Sequence, residues 1–401
     1  GRAMVGEAVE KARELRQSTH RPPVTDNERL CARCSLSPVC LPEEARLAHD
    51  KEWQPIRLFP EDDDKQVIHV LEPGTRVGKT GEQIKITRRD QPLEVIPARQ
   101  IGQLVLHSFS QISTQALHFC TQQSIGVHFI SGGGRYLGSF DTRNGSIQRR
   151  IHQYTALSNS DTCLELARKL VICRAGGQRK FLMRGKKGKA KTSESLTKVI
   201  AQMKAVLKLI PQAKSLESLL GYEGNLAALY FDALPDLISP SAPLEMSFDT
   251  RNRRPPKDRF NAMLGFGYAL LIKDVMNAIL TVGLEPAFGF YHQPRSQAAP
   301  LALDLMEIFR VPLVDMIVLA SINRNQWDIQ ADFDIRGQQV WLSETGKRKF
   351  VELYENRKQE TWKHPATGYS LTYRRLLELE VRLLEKEWMG EGGLFGQLIV
   401  R

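Results

Sequence analysis

The chain has 401 residues, 42% hydrophobic and 25% charged, with a net charge of +11 and six cysteines. The length asks for two or three domains rather than one core, and the balance excludes a disordered chain or a disulfide scaffold. The positive excess suits a polyanion partner such as nucleic acid, although such charge also serves solubility.

Residues 3–16, AMVGEAVEKARELR, place Val5, Ala8, Val9, Ala12 and Leu15 on one helical face. The opening GRAM carries neither a signal peptide nor an initiator Met, so a cytoplasmic protein and a piece of something longer are expected. A Pro-containing turn then leads into CARCSLSPVCLPEE, where Cys31, Cys34 and Cys40 are spaced C-x2-C-x5-C. Thiolates this close favour zinc or an iron–sulfur cluster. Three are one short of a closed site, which His20 would complete for zinc or a cysteine outside this chain for a cluster. EWQPIRLFPEDDDK, with two prolines and four successive acids, reads as a linker.

From about residue 66 short Val- and Ile-rich runs alternate with turn residues: QVIHVLEP, QIKITRR, LEVIP, QLVLHS, IGVHFIS and GRYLGSF. One helix-like insert, SQISTQALHFCTQQ, interrupts them, and 66–150 is expected to be a small mainly β domain. GTRVGKT (74–80) resembles a phosphate-binding loop but has three residues, not four, before its Gly-Lys pair. A strand follows it instead of a helix, so a hairpin turn is the reading. SGGGRYLGSF fails for the same reason. Beyond 150, helical periodicity runs through 151–175, 193–234, 258–282, 300–320 and 345–388. FNAMLGFGYALLIKDVMNAIL is broken by Lys273 and Asp274 and reads as too short and too charged for a membrane span. Cys120, Cys163 and Cys173 stand in apolar segments and are expected to be reduced core residues. The fold class expected is α+β and multidomain: a cysteine-bearing helical tail, a small β domain and a large all-α domain.

Two stretches carry chemistry. In SLLGYEGNLAALYFDALP (218–235) Glu223 stands in an apolar helical run; taken alone it reads as a solvated position. In YHQPRSQAAPLALDLMEIFR (291–310) His292 precedes a helix starting at Pro300, on which Asp304 and Glu307 lie at i and i+3. If the two helices pack together, Glu223, His292 and Glu307 converge. Two carboxylates and an imidazole leave coordination positions open and suit Mg2+ or Mn2+, with Asp304 an accessory carboxylate.

LLGYEGNLAALYF, RNRRPPKDRFNAMLGFGYALL and GFYHQPRSQAAPLALDLMEIFRVPLVD resemble, in order, the signature segments of the CRISPR-associated spacer-acquisition integrase, over about 66–401. The resemblance implies metal ligands at Glu223, His292 and Glu307, and a β domain (66–150) that mediates dimerisation. It further implies a catalytic helical domain (151–401), homodimers bridged by a small ferredoxin-like CRISPR partner, and a prokaryotic source. QAAP departs from the family's usual Gly-Arg-Pro-Ser and puts one phosphate contact in doubt. RPPVTDNERLCARCSLSPVCLPEE is similar to the C-terminal end of the RecB-like CRISPR-associated iron–sulfur exonuclease. That likeness implies that 1–48 is a remnant of such a domain, followed by a linker at 49–65. It makes Cys31, Cys34 and Cys40 ligands of a 4Fe-4S cluster whose fourth ligand lies outside this chain, and leaves no exonuclease site.

RAGGQRKFLMRGKKGKAK (174–191) has eight Lys or Arg and no acid, and its glycines argue for a mobile loop or helix end. With Lys186 and Lys187 in this run, and Arg251, Arg253, Arg254 and Arg295 elsewhere, it supplies candidate phosphate contacts. The functional expectation is a metal-dependent DNA endonuclease and strand transferase that inserts captured duplex or 3′-overhang DNA into a CRISPR repeat. The alternatives are a non-catalytic DNA-binding scaffold subunit and a branched-DNA repair nuclease.

Overall fold

The computed structural model describes residues 2–17, 25, 27–31, 34, 65–89, 91–140, 147–187, 194–252, 255–292, 299–368, 370–389 and 392–399. The N-terminal helix α1 (Arg2–Gln17) is exposed over residues 3–15, its apolar stripe included. A single helical turn, Glu28–Cys31, buries Cys31 and leaves Cys34 exposed, both thiols free. The Cys34 N–H donates to the Cys31 carbonyl at 3.1 Å, so one turn holds the pair together. His20, Cys40 and nearly all of the linker lie outside the described residues.

Eight strands follow: β1 (Gln66–Val70), β2 (Thr75–Thr80), β3 (Gln83–Arg88), β4 (Gln91–Pro97), β5 (Ile101–His107), β6 (Gln111–Ile112), β7 (Gly126–Ile130) and β8 (Tyr136–Phe140). Helix α2 (Thr114–Gln122) lies between β6 and β7. One sheet has the order β4-β3-β2-β6 and the other β1-β5-β7-β8. GTRVGKT, expected as a hairpin turn, is itself a strand: β2 turns through Gly81, at φ +55°, into antiparallel β3. The side-chain period of two does the packing. Along β3 only alternate residues, Ile84 and Ile86, are buried, and they join Val77, Ile96, Phe119 and Cys120 in a core between the sheets and α2. Strand β5 is buried on both faces: Leu104 and Leu106 enter that core while Val105 enters the larger helical one.

The helical part comprises α3 (Ile147–Leu157), α4 (Ser160–Lys187), α5 (Glu194–Leu207), α6 (Leu216–Ala233), α7 (Arg259–Val282), α8 (Pro300–Arg310), α9 (Met316–Asn323), α10 (Glu344–Gln359) and α11 (Tyr373–Trp388). Two small hairpins are set among them, β9 (Phe333–Arg336) with β10 (Gln339–Leu342) and β11 (Thr361–Lys363) with β12 (Ser370–Thr372). The second breaks the expected helical stretch 345–388: α10 ends at Gln359, and Pro365 and Gly368, at φ +72°, lie between β11 and β12 where no helix can run. Cys120, Cys163 and Cys173 are buried and free, and burial pushes the Cys120 thiol up to about 11.

One expectation is narrowed and one corrected. Of the two forms expected for 174–187 the structure has the helix end rather than the loop, and as continuous helix across three glycines. Gly185 is there for packing: a Cβ would lie 2.5 Å from Leu237. And α7 is, by length and composition, apolar enough to cross a bilayer, with a mean hydropathy of 1.4. Its apolar window is instead 67% buried within the chain, as the central helix of the core. Asp258 caps it, accepting from the Asn261 N–H at 2.7 Å, and Gly283, at φ +90°, ends it.

The two charges inside α7 are paired where the helical and β parts meet. Lys273 donates to Asp274 at 2.6 Å and to Gln103 of β5 at 3.2 Å. Lys358 contacts Asp274 at 3.1 Å and Glu355 at 2.8 Å. The Glu355 carboxylate accepts from His69 Nε2 at 3.1 Å, and His69 Nδ1 in turn lies 3.0 Å from His107 Nε2. Burial opposes ionisation of Glu355, but Lys358 and the His69 hydrogen bond outweigh it and hold its carboxyl down at about 2.

Candidate active site

Three helices and one loop build the site. Helix α6 starts at a Ser215–Ser218 capping box and buries Leu219, Leu226 and Tyr230. Glu223 falls on that same stripe, four residues after Leu219 and three before Leu226, so it is carried inward rather than solvated. Helix α8 has Pro300 at its first position and buries nearly its whole length, Asp304 and Glu307 included. From α4, Arg174 lies on a stripe of four-residue steps through the buried Leu166, Leu170, Gln178 and Leu182.

Arg174 joins the two carboxylates. Its Nη1 forms an ion pair with Glu223 Oε1, and its Nε lies 2.9 Å from Glu307 Oε2. Each carboxylate has a further partner. The Tyr291 hydroxyl donates to Glu223 Oε2 at 2.9 Å, and Arg310 Nη2 contacts Glu307 Oε1 at 2.9 Å. Burial drives the Tyr291 hydroxyl well above its ordinary pKa, so it remains a donor. Burial alone would lower the pKa of Arg310, but Glu307, Tyr268 and Asp315 together more than offset this and keep the guanidinium charged. Behind it Tyr230 and Tyr268 donate to Asp315 at 2.7 and 2.6 Å, and the Arg310 guanidinium lies 4.6 Å from the Tyr268 ring centroid.

Asp304 orders the loop before α8. Its Oδ2 accepts from the Phe290 and Tyr291 N–H groups at 2.8 and 3.1 Å. Its Oδ1 accepts from the His292 N–H at 2.8 Å and from His292 Nδ1 at 2.6 Å. The loop reaches this carboxylate because residue 289 is glycine; a Cβ there would lie 2.6 Å from Asp304 Oδ2. With Nδ1–H given to Asp304, the imidazole keeps its Nε2 lone pair for another ligand. Side-chain exposure rises from 0% at Asp304 and 4% at Glu307 to 19% at Glu223 and 32% at His292, so the site opens on the His292 side. On the exposed face of α6, turned away from the stripe that carries Glu223, Gly221 and Gly224 have nothing among the described residues within 4 Å of where a Cβ would stand.

Thus Glu223 and Glu307 meet on one guanidinium, and His292 stands beside them through Asp304 and Tyr291. Among the described residues no three His, Cys, Asp or Glu side chains form a ready-made metal cage as they stand. Arg174 is the cation between the carboxylates instead. Two carboxylates already sharing a cation, with an imidazole held through its Nδ1 by Asp304, are a donor set that fits Mg2+ or Mn2+. Among the expected phosphate contacts, Arg251 is half-buried; it donates to Asn261 Oδ1 at 2.6 Å and lies 5.7 Å from the Tyr268 ring centroid. Lys186 and Lys187 end α4, roughly 18 Å along its axis from Arg174. Arg253, Arg254 and Arg295 lie outside the described residues. Arg174, Tyr291 and Arg310 are site residues that the motif reading missed. The four-residue stripe on α4 was the available signal for Arg174.

The family profile described as CRISPR associated protein Cas1 matches residues 68–356. A CRISPR-associated exonuclease Cas4/endonuclease Cas1 fusion of Myxococcus xanthus is 51% identical over all of this chain and 70% of its own length. Its namesake in Leptospira interrogans is 46% identical over 98% of this chain and 73% of its own length. In fold, a CAS1 protein from Thermotoga maritima superposes with a TM-score of 0.69 at 25% identity, covering 81% of this chain and 97% of that one. The chain therefore belongs to the Cas1 family of CRISPR-associated proteins.

Proposed function

We propose that the chain is a metal-dependent DNA endonuclease and integrase of CRISPR adaptation, which joins captured DNA into a repeat array. The observation that carries this reading is the meeting of Glu223 and Glu307 on one cation, with the Nδ1 of His292 held by Asp304 of the same helix as Glu307. Glu223, His292 and Glu307 would hold Mg2+ or Mn2+, which when bound supplies Lewis-acid stabilisation of charge on a phosphoryl group. Asp304 fixes the tautomer and direction of His292. Tyr291 and Arg310 hold the outer oxygens of Glu223 and Glu307. The reaction is a transesterification: the 3′-hydroxyl oxygen of the incoming strand bonds to phosphorus, and the 3′-oxygen of the repeat strand leaves with a proton.

Gly221 and Gly224 support a close approach of DNA. Each weakens α6, nothing among the described residues fills the space beside them, and a phosphate backbone would. Arg251, Arg253, Arg254, Arg295, Lys186 and Lys187 are the proposed phosphate contacts, Arg251 being held by Asn261. The same proposal divides the chain at 1–48, 49–65, 66–150 and 151–401. It gives the β domain to a homodimer, with a small ferredoxin-like partner bridging two dimers. It also makes Cys31, Cys34 and Cys40 three ligands of a 4Fe-4S cluster in the last part of an exonuclease domain. The names of the Myxococcus and Leptospira relatives support that last assignment.

The test is strand transfer of a 3′-overhang duplex into a repeat-containing target with Mn2+. His292→Ala abolishes transfer and keeps DNA binding if the reading is right. Unchanged transfer in that variant hands the protein to the scaffold reading, and preference for branched DNA over a repeat target hands it to repair.

A further inference from the structure

Arg174 stands in the basic run, yet only 8% of its side chain is exposed, and it is spent on two acids from two different helices. Carboxylates brought this close repel unless a cation lies between them. Glu223 Oε2 and Glu307 Oε1 are held by Tyr291 and Arg310, while Glu223 Oε1 and Glu307 Oε2 face Arg174. The Arg174–Glu307 contact is a charge contact rather than an aligned hydrogen bond. Withdrawal of Arg174 would therefore turn one oxygen from each carboxylate toward the same point, with the other two still anchored. An ion pair that served packing alone has no need of that second set of anchors.

We propose that Arg174 is a resident counter-cation that exchanges with the divalent metal. It keeps the two inner oxygens together while the ion is absent and gives up at least one of them when it binds. The inference rests on the reading of Glu223, His292 and Glu307 as metal ligands. It makes Arg174 a positioning residue whose charge sets how tightly the ion is held.

The experiment is calorimetric titration of Mn2+ into the whole chain, wild type and Arg174→Gln, with thermal unfolding of both in EDTA and in Mn2+. Loss of a unit positive charge next to the ion should tighten Mn2+ binding by at least about ten-fold. In EDTA the variant should unfold at a lower temperature than wild type, and the gap should close in Mn2+. A folded Arg174→Gln that binds Mn2+ no more tightly than wild type overturns the proposal. Should the variant fail to fold, crystals of the wild type grown in EDTA and in Mn2+ decide: Arg174 still on both carboxylates with the ion in place overturns it. Equal affinities that His292→Ala abolishes leave the metal reading standing and remove this inference. No Mn2+ bound by either protein removes both.

Discussion

Replacing Asp304 with asparagine keeps the shape of a fully buried side chain and changes what it accepts. The carboxylate takes two donors on each oxygen: Phe290 and Tyr291 N–H on one, His292 N–H and His292 Nδ1 on the other. An amide has one oxygen, so its NH2 must face one of these pairs. If the oxygen stays with Phe290 and Tyr291, the NH2 meets the His292 side. The imidazole then accommodates it by carrying its proton on Nε2, the atom needed for a metal. One or two buried N–H groups lose their acceptor, at about 1–3 kcal/mol each. Loss of the supporting carboxylate should weaken Mn2+ binding about 10–100-fold. Mn2+ calorimetry and denaturant unfolding of Asp304→Asn measure the two effects separately. A folded variant with wild-type Mn2+ affinity would refute the assignment of Asp304 as the residue that orients His292.

Tyr291→Phe removes the hydroxyl on Glu223 Oε2 and should lower Mn2+ affinity about ten-fold while the fold stays intact; calorimetry checks it. Gly224→Ala adds a methyl group to the open face of α6, so chemical denaturation should show a gain of up to about 1 kcal/mol. In a gel-shift titration the same variant should bind DNA more weakly, whereas unchanged binding would remove DNA from that face. His107 is buried against His69, and burial first, then the His69 charge, holds its pKa well below the ordinary 6.5. Its contribution is complete above 6.5 and is lost as pH falls from there toward the folded-state value. Measured against His107→Gln, wild type should therefore lose stability below pH 6.5, by at most about 1.4 kcal/mol per pH unit. A pH-independent difference between the two proteins would show that the pair does not titrate with unfolding.

The parts of the fold legible in the sequence were those written in short periods. Ile84 and Ile86 announce β3 by alternation, and Asp304 and Glu307 announce one face of α8 by their spacing. What stayed hidden depended on neighbours distant in the chain. Gly185 sits in α4 because Leu237 crowds it. Glu223 looks solvated until Arg174 arrives from another helix to neutralise it. Arg174 itself was absorbed into a count of basic residues, although Leu166, Leu170, Gln178 and Leu182 mark its position as buried. The hairpin at 361–372 had its own signal in Pro365 and Gly368, overridden by the helical pattern on either side.

The central claim is that the imidazole of His292 and the carboxylates of Glu223 and Glu307 share one divalent ion. Electron spin-echo spectroscopy of the Mn2+-loaded chain reads it most directly, because a directly bound imidazole nitrogen modulates the echo. The account predicts a nitrogen signal that His292→Ala removes, and loss of the bound Mn2+ in a Glu223→Gln, Glu307→Gln double variant. Mn2+ held with an unchanged nitrogen signal in His292→Ala would contradict it.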